Sequence, residues 1–327
     1  MSNQKVVIDA DQTELEALLN SSAPLDAGVM DDRHASALDS IDTEELSNWA
    51  ARDAELDDLG SDVSTEIIYR AKLLDDAYPF KIEDGSLKIK ESSINLFYIF
   101  CLILSQSKLK AQKGEAAYNQ MMARFFERST LGIIRCSLGH LSSGHHFGFP
   151  RDNGSNIKQA INSLPKDLNI SKEWKYNPID YVENEVSNQK DLGIDQIIWI
   201  KRPDNRTFSH LFFLGQCACG DDYINKFNDI DINKLNQYFR PFTHTQPVKM
   251  MSIPFILTDD DFQKVSNRAG WLFDRISLAG IYNKHPELNK DYDEKLIELI
   301  CNSTPYGERF KKSSLYKKLA PVEKSEI

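Results

Sequence analysis

Residues 190–220 read KDLGIDQIIWIKRPDNRTFSHLFFLGQCACG, two apolar runs on either side of a polar PDNRT. Such runs, rich in Ile, Trp and Phe and separated by turn residues, predict a β-hairpin. Its open end carries two residues that do not suit a strand interior, Asp195 and Gln216. With the turn centred between Asn205 and Arg206, Asp195 falls directly across from Gln216. Opposed residues in a ladder hold their Cβ atoms roughly 4.5–5.5 Å apart. Two oxygen-bearing side chains are therefore expected to meet at the mouth of an apolar ribbon, joined by the backbone carbonyl of Cys217. Oxygen donors of this kind, one of them anionic, suit a hard divalent cation, Mg²⁺ or Mn²⁺.

The order of elements around the hairpin sets the fold class. GEAAYNQMMARFFERSTLGIIRCSLG, from Gly114, has the spacing of a long amphipathic helix, and GHLSSGHHFGFPRDNGS reads as a Gly-rich loop. Two short helices, NIKQAINSL and PIDYVENEVSNQ, precede the hairpin; helices near DDYINKFNDI and INKLNQYF follow it. VKMMSIPFIL then reads as a strand, TDDDFQKVSNRAG as a capped helix ended by Gly270, and WLFD as a short strand. This is an α/β arrangement, a mixed central β-sheet flanked by helices. Upstream, TEIIYRAKLLDDAYPF has helical periodicity, EDGS is a turn, and LFYIFCLIL (Leu96–Leu104) is too short to span a bilayer and predicts a buried helix.

Charge divides the chain. Residues 1–62 hold 16 Asp/Glu against 3 Lys/Arg, a net of −13, whereas the remaining 265 residues come to +3. The expected organisation is an acidic arm over 1–62, partly disordered or helical; a helical module over 63–110; a core over 111–285; and a basic C-terminal helix or tail over 286–327. The acidic arm reads as a solvated segment or as one that docks on a basic surface. A near-neutral, slightly basic body is compatible with a polyanion partner. No membrane span is expected. Five scattered cysteines do not make a disulfide framework, and the N-terminus lacks the pattern of a secretory signal, so a reducing cytoplasm is the expected compartment.

The segments KDLGID with Asp195, FLGQCA with Gln216 and MARFFERS with Glu127 resemble the PD-(D/E)xK nuclease superfamily, and within it the Mrr-like restriction endonucleases. The likeness continues through IPFILTDDDFQKVSNRAGWLFDRISLAGI, where Asp274 and Leu278 fill the family's last positions; it covers residues 114 to 282. It implies a restriction-endonuclease-like core with an added N-terminal helical region, and metal-dependent hydrolysis of DNA phosphodiesters in restriction or anti-phage defence. Asp195, Gln216 and Cys217 would hold Mg²⁺ or Mn²⁺, with Glu127 as a further site residue. The family's Lys, two positions after Gln216, is Ala218 here. Lys226 is the expected substitute, with Lys190 and Lys201 as weaker ones. The alternative implied by Ala218 is a nuclease-fold subunit that has lost its chemistry and binds nucleic acid or a partner protein of a defence complex, the latter through the acidic arm. A homo-oligomer is compatible with either.

Each residue also has a plainer reading. Asp195 can cap a strand, Gln216 can satisfy a backbone group, and Glu127 can pair on a charged helix. Cys217 and Cys219 share one strand face but lack the four ligands of a zinc site and read as small buried hydrophobes. His145, His146 and Arg151 sit in the Gly-rich loop, where they either contact a phosphate backbone or face solvent. A third class is a helical interaction protein that recognises its partner through residues 63–110.

Overall fold

The computed structural model describes residues 3–25, 49–92, 94–106, 116–148, 151, 156–162, 164, 174, 177–179, 192–204, 206, 209–220, 223–239, 245–302 and 304–319. In chain order the elements are α1 (Asn3–Asn20), β1 (Ser22–Pro24), α2 (Trp49–Leu74), β2 (Phe80–Glu83), β3 (Ser86–Ile89), α3 (Leu96–Gln106), α4 (Ala116–Ser137), β4 (Ser142–His146) and α5 (Ile157–Asn162). There follow β5 (Gln196–Ile200), β6 (Leu211–Cys217), α6 (Ile232–Tyr238), β7 (Val248–Ser252), α7 (Asp259–Ala269), β8 (Trp271–Phe273), α8 (Arg275–Lys284), α9 (Pro286–Asn302), α10 (Gly307–Lys312) and α11 (Ser314–Leu319). The chain forms two compact units. One comprises residues 1–107, 256–258 and 293–327, the other residues 108–255 and 259–292. No helix among the described residues is long and apolar enough to cross a membrane.

The first unit packs helices on a three-stranded antiparallel sheet of order β1-β3-β2. Its hairpin turns through Asp84 and Gly85, both at positive φ (53° and 69°), the two-residue Asp-Gly geometry that matches strand twist. Reading EDGS as a turn alone therefore missed the strands on either side of it. Helix α3 is apolar all round, and every residue from Leu96 to Leu104 is buried, as expected of LFYIFCLIL. Asn95 starts it by accepting the Tyr98 N–H at 3.0 Å. A charged cluster lies inside this unit. The Arg70 guanidinium, fully buried, donates to Asp11 at 2.7 Å, Glu14 at 3.0 Å, Glu66 at 2.8 Å and the Val7 carbonyl at 3.1 Å. The Tyr78 and Tyr98 hydroxyls both donate to Glu14 at 2.8 Å.

The second unit is an α/β layer structure around a five-stranded mixed sheet of order β4-β5-β6-β7-β8. β4, β5 and β6 are antiparallel neighbours; β6, β7 and β8 are parallel. The β5–β6 ladder has the expected offset, running from Ile200↔Leu211 to Gln196↔Gly215, one step inside Asp195 and Gln216. Alternation then sorts the side chains. Ile197, Trp199, Phe212 and Leu214 join Trp174, Leu235, Tyr238 and Phe239 in one apolar core. Gln196 and Cys217 face the other way, toward Thr130 on α4.

Several expectations change here. Residues 142–146 of the Gly-rich loop form strand β4, pairing with β5 from Ser142↔Ile200 to His146↔Gln196. Near DDYINKFNDI the structure has only a 3-10 turn, Tyr223–Lys226. The helix expected over 178–189 lies, beyond Ile179, outside the described residues, as does Lys190. Helix α7 keeps its expected start and stop. Asp259, Asp260 and Asp261 sit in its first turn, and Gly270 ends it at φ +89°, where a Cβ would lie 2.4 Å from the Lys249 carbonyl oxygen. Asp274 is the N-cap of α8, accepting the Ser277 N–H and hydroxyl at 2.8 Å each.

Candidate metal centre at the mouth of the hairpin

Helix α4 carries Glu127 to the sheet. Its face is set by Met122, Phe126, Ile133 and Ile134, all buried. The Ser129 and Thr130 hydroxyls are buried and bond back to carbonyls one turn earlier, those of Phe125 and Phe126. Gln196 then fastens this turn to β5, its amide donating to the Glu127 carbonyl and, at 2.7 Å, to Thr130 Oγ1. A buried amide on an otherwise apolar strand is the signal that sequence reading passed over.

Asp195 lies in the bend just before β5 and ties three segments together. Its backbone N–H donates to the Gly215 carbonyl at 2.9 Å, and its carbonyl accepts from Phe147 and Gly148 at 2.7 and 2.9 Å. Its Oδ2 accepts the Cys217 N–H at 2.7 Å. Its Oδ1 is turned toward Gly148. An ideal Cβ on Gly148 would lie 3.0 Å from Asp195 Oδ1 and 2.0 Å from Glu127 Oε1, so these two oxygens are at most about 5 Å apart. Only a residue without a Cβ leaves room for both.

His146, the last residue of β4, completes the group. Its Nε2 is 2.5 Å from Glu127 Oε1, yet the two are out of line for a hydrogen bond. Both atoms are buried and neither has a hydrogen-bond partner among the described residues. Such orphans are uncommon in folded proteins and call for an explanation. With His146 in the tautomer that leaves Nε2 unprotonated, this nitrogen and the Glu127 oxygen, beside a second carboxylate, form a donor set for a cation. Two carboxylates this close in a half-buried site repel each other, and a divalent ion would offset that repulsion.

The remaining predicted residues are placed around this group. Lys226, at the end of the 3-10 turn, points its amine at the Cys217 carbonyl, 3.5 Å away. It thus reaches the segment two residues after Gln216, where Ala218 offers no charge. Gln216 is turned elsewhere: its amide donates to Asp229 Oδ2 at 2.9 Å. The strand register is as expected, but the meeting of Asp195 and Gln216 side chains is replaced by two separate contacts, because Asp229 offers Gln216 an acceptor. Cys217 Sγ lies 3.2 Å from Gln196 Nε2, and burial, with Asp195 and Glu127 adding to it, holds its thiol well above the usual range. Burial also raises Cys219, leaving both thiols protonated at neutral pH. His145 is pushed down by burial, with His146 and Arg151 contributing, and is neutral at pH 7. Arg151 covers the Phe147 ring at 5.1 Å and donates to the Phe147 carbonyl at 3.1 Å.

No family model, curated protein or solved structure matches the chain.

Proposed function

We propose that the second unit is a metal-dependent phosphodiester hydrolase of the PD-(D/E)xK type, with a restriction-endonuclease-like core, acting on DNA in restriction or anti-phage defence. The observation that carries this reading is the convergence of Glu127 Oε1 and Asp195 Oδ1 over Gly148, beside the hairpin mouth. The residues present fit a divalent cation: two carboxylates supply oxygen donors and His146 Nε2 supplies a nitrogen, whereas the Cys217 carbonyl faces the Lys226 amine. An imidazole donor favours Mn²⁺ over Mg²⁺. When bound, such an ion polarises a phosphoryl oxygen and lowers the pKa of a bound water.

The chain's own groups have definite tasks in this reading. The Cys217 N–H holds Asp195 Oδ2 and fixes the carboxylate plane. Gln196 holds the α4 turn that presents Glu127. Lys226, its amine 3.5 Å from the Cys217 carbonyl, is in this reading the cation that would offset charge developing on the phosphate.

Incubation of the purified chain with supercoiled and linear DNA, with Mn²⁺ or Mg²⁺, tests the reading. Cleavage that is lost in Asp195→Asn and Glu127→Gln supports it; equal cleavage by wild type and both variants sinks it. Calorimetric Mn²⁺ binding gives a readout independent of turnover, and both variants should weaken it at least tenfold.

A second reading is favoured by Ala218 and by the engagement of Gln216 with Asp229. In it the site has lost its chemistry and the protein binds nucleic acid, or a partner of a defence complex through the acidic N-terminal segment. DNA retention that falls steeply with salt, without cleavage under any divalent ion, would select it.

A further inference from the structure

We infer that Cys136, His285 and Glu287 form a second metal site, distinct from Glu127 and Asp195, that takes a borderline-soft cation of the Zn²⁺ class. The three side chains come from the last turn of α4, the residue that caps the C-terminus of α8, and the first turn of α9. Their donor atoms, Cys136 Sγ, a His285 ring nitrogen and a Glu287 carboxylate oxygen, all lie within 4.8 Å of one another. No other trio of His, Cys and acidic donors among the described residues is gathered this closely.

The seam that brings them together is built into the packing. Gly132 lies one turn before Cys136 on the same face of α4, and a Cβ there would lie 2.2 Å from the Tyr292 hydroxyl. Tyr292 in turn stacks on Tyr282 with ring centroids 6.4 Å apart and meets Phe125 edge-on at 5.9 Å. The glycine lets α9 approach α4, and the α8–α9 junction then falls beside the last turn of α4. There the His285 N–H closes the α8 C-terminus on the Tyr282 carbonyl at 3.1 Å, fixing the backbone that carries the imidazole.

The donor set selects the ion. One thiolate, one imidazole and one carboxylate match Zn²⁺ or Co²⁺, whereas Mg²⁺ and Ca²⁺ require mostly oxygen. His285 Nδ1 and Glu287 Oε1 are already 2.9 Å apart. Tetrahedral ligands of zinc lie about 3.3–3.6 Å from one another, so the group reaches binding geometry through side-chain rotations. Three protein ligands leave the fourth position to water. All three side chains retain access to solvent, which gives the ion an entry path. Binding replaces the Cys136 thiol proton by the cation, releasing that proton to solvent, so affinity rises with pH. The site would clamp the end of the helix that carries Glu127.

Cobalt titration of the chelator-treated full chain provides the test. One equivalent of Co²⁺ should bind with an intense near-ultraviolet thiolate-to-metal band and tetrahedral visible bands, and one equivalent of Zn²⁺ should displace it. The band should vanish in Cys136→Ser and shift to at least tenfold weaker binding in Glu287→Gln. It should persist in Asp195→Asn and Glu127→Gln, which separates this site from the hairpin centre. Absence of the band in the wild-type protein, or its survival in Cys136→Ser, overturns the inference.

Discussion

Replacing Arg70 by Met would leave the charged cluster of the first unit without its cation. The guanidinium is the positive group that pairs with Asp11, Glu14 and Glu66, and Arg70 and Glu14 are both fully buried. Burial works against the charged guanidinium, but the Glu14 and Asp11 carboxylates outweigh it and raise its pKa well above the ordinary value. Four hydrogen bonds to the ion, at about 1.5–3 kcal/mol each, set a gross ceiling of roughly 6–12 kcal/mol. Glu66 is partly exposed and recovers water, methionine refills the volume, and the stranded carboxylates take up protons. The net loss should therefore fall at about 3–5 kcal/mol, the cost of breaking one side of a buried ion pair. Amide exchange in α1 and α2 reads that loss locally. Protection there should drop by about a hundredfold to a few thousandfold. The sign with pH is also fixed. Carboxylates stranded in the variant have folded-state pKa values above their unfolded ones, so stability is fully present at acidic pH and lost as pH rises through the folded value. The deficit of Arg70→Met should shrink below about pH 4, near the unfolded carboxylate range. Arg70→Met combined with Glu14→Gln should be less destabilised than the sum of the single changes, by about 1–3 kcal/mol. A variant within about 1 kcal/mol of wild type, or a deficit that ignores pH, would refute this reasoning.

Gly148→Ala places a methyl 2.0 Å from Glu127 Oε1 and should cut Mn²⁺ affinity at least tenfold while leaving the circular dichroism spectrum unchanged, as calorimetry would check. Gln196→Leu removes the bonds to the Glu127 carbonyl and Thr130 and should cost about 1–3 kcal/mol in urea unfolding. Asp274→Ala should lose about 1 kcal/mol with the α8 cap, whereas Asp274→Asn keeps the cap. Burial raises the Asp274 pKa above its unfolded value, so its contribution is fully present below the unfolded pKa and falls as pH rises through the folded one. Asp274→Asn should therefore match or exceed wild type at neutral pH and lose that advantage below pH 4, in melts across pH.

The β5–β6 hairpin was legible because IIWI and FFL bracket a turn, and pairing arithmetic needs only the turn centre. The partners of the ladder's ends were not. Gln216 turns to Asp229, thirteen residues on in a loop, and no periodicity carries that information. Strand β4 was missed for a similar reason. SSGHH lies at the sheet edge with every residue half-buried, so it has no apolar alternation to betray it. That omission hid His146, whose place beside Glu127 follows only from pairing with Gln196. The Asp-Gly turn between β2 and β3 did carry its signal, in KIEDGSLKIK. Lys226 was recoverable because a cation was sought near Ala218, and the turn after β6 is short enough to return it.

The first unit draws on residues 1–107 and 293–327, joined through contacts such as Ser21 with Ser314 at 2.9 Å and Arg309 with Asn20 at 3.3 Å. During synthesis, residues 108–292 leave the ribosome between those halves, a delay of about 10–40 s at 5–20 residues per second. Helix α3, greasy on every side, is thus made early, while the last stretch of its unit has still to emerge. That interval is when a nascent chain of this design most needs a chaperone's shelter.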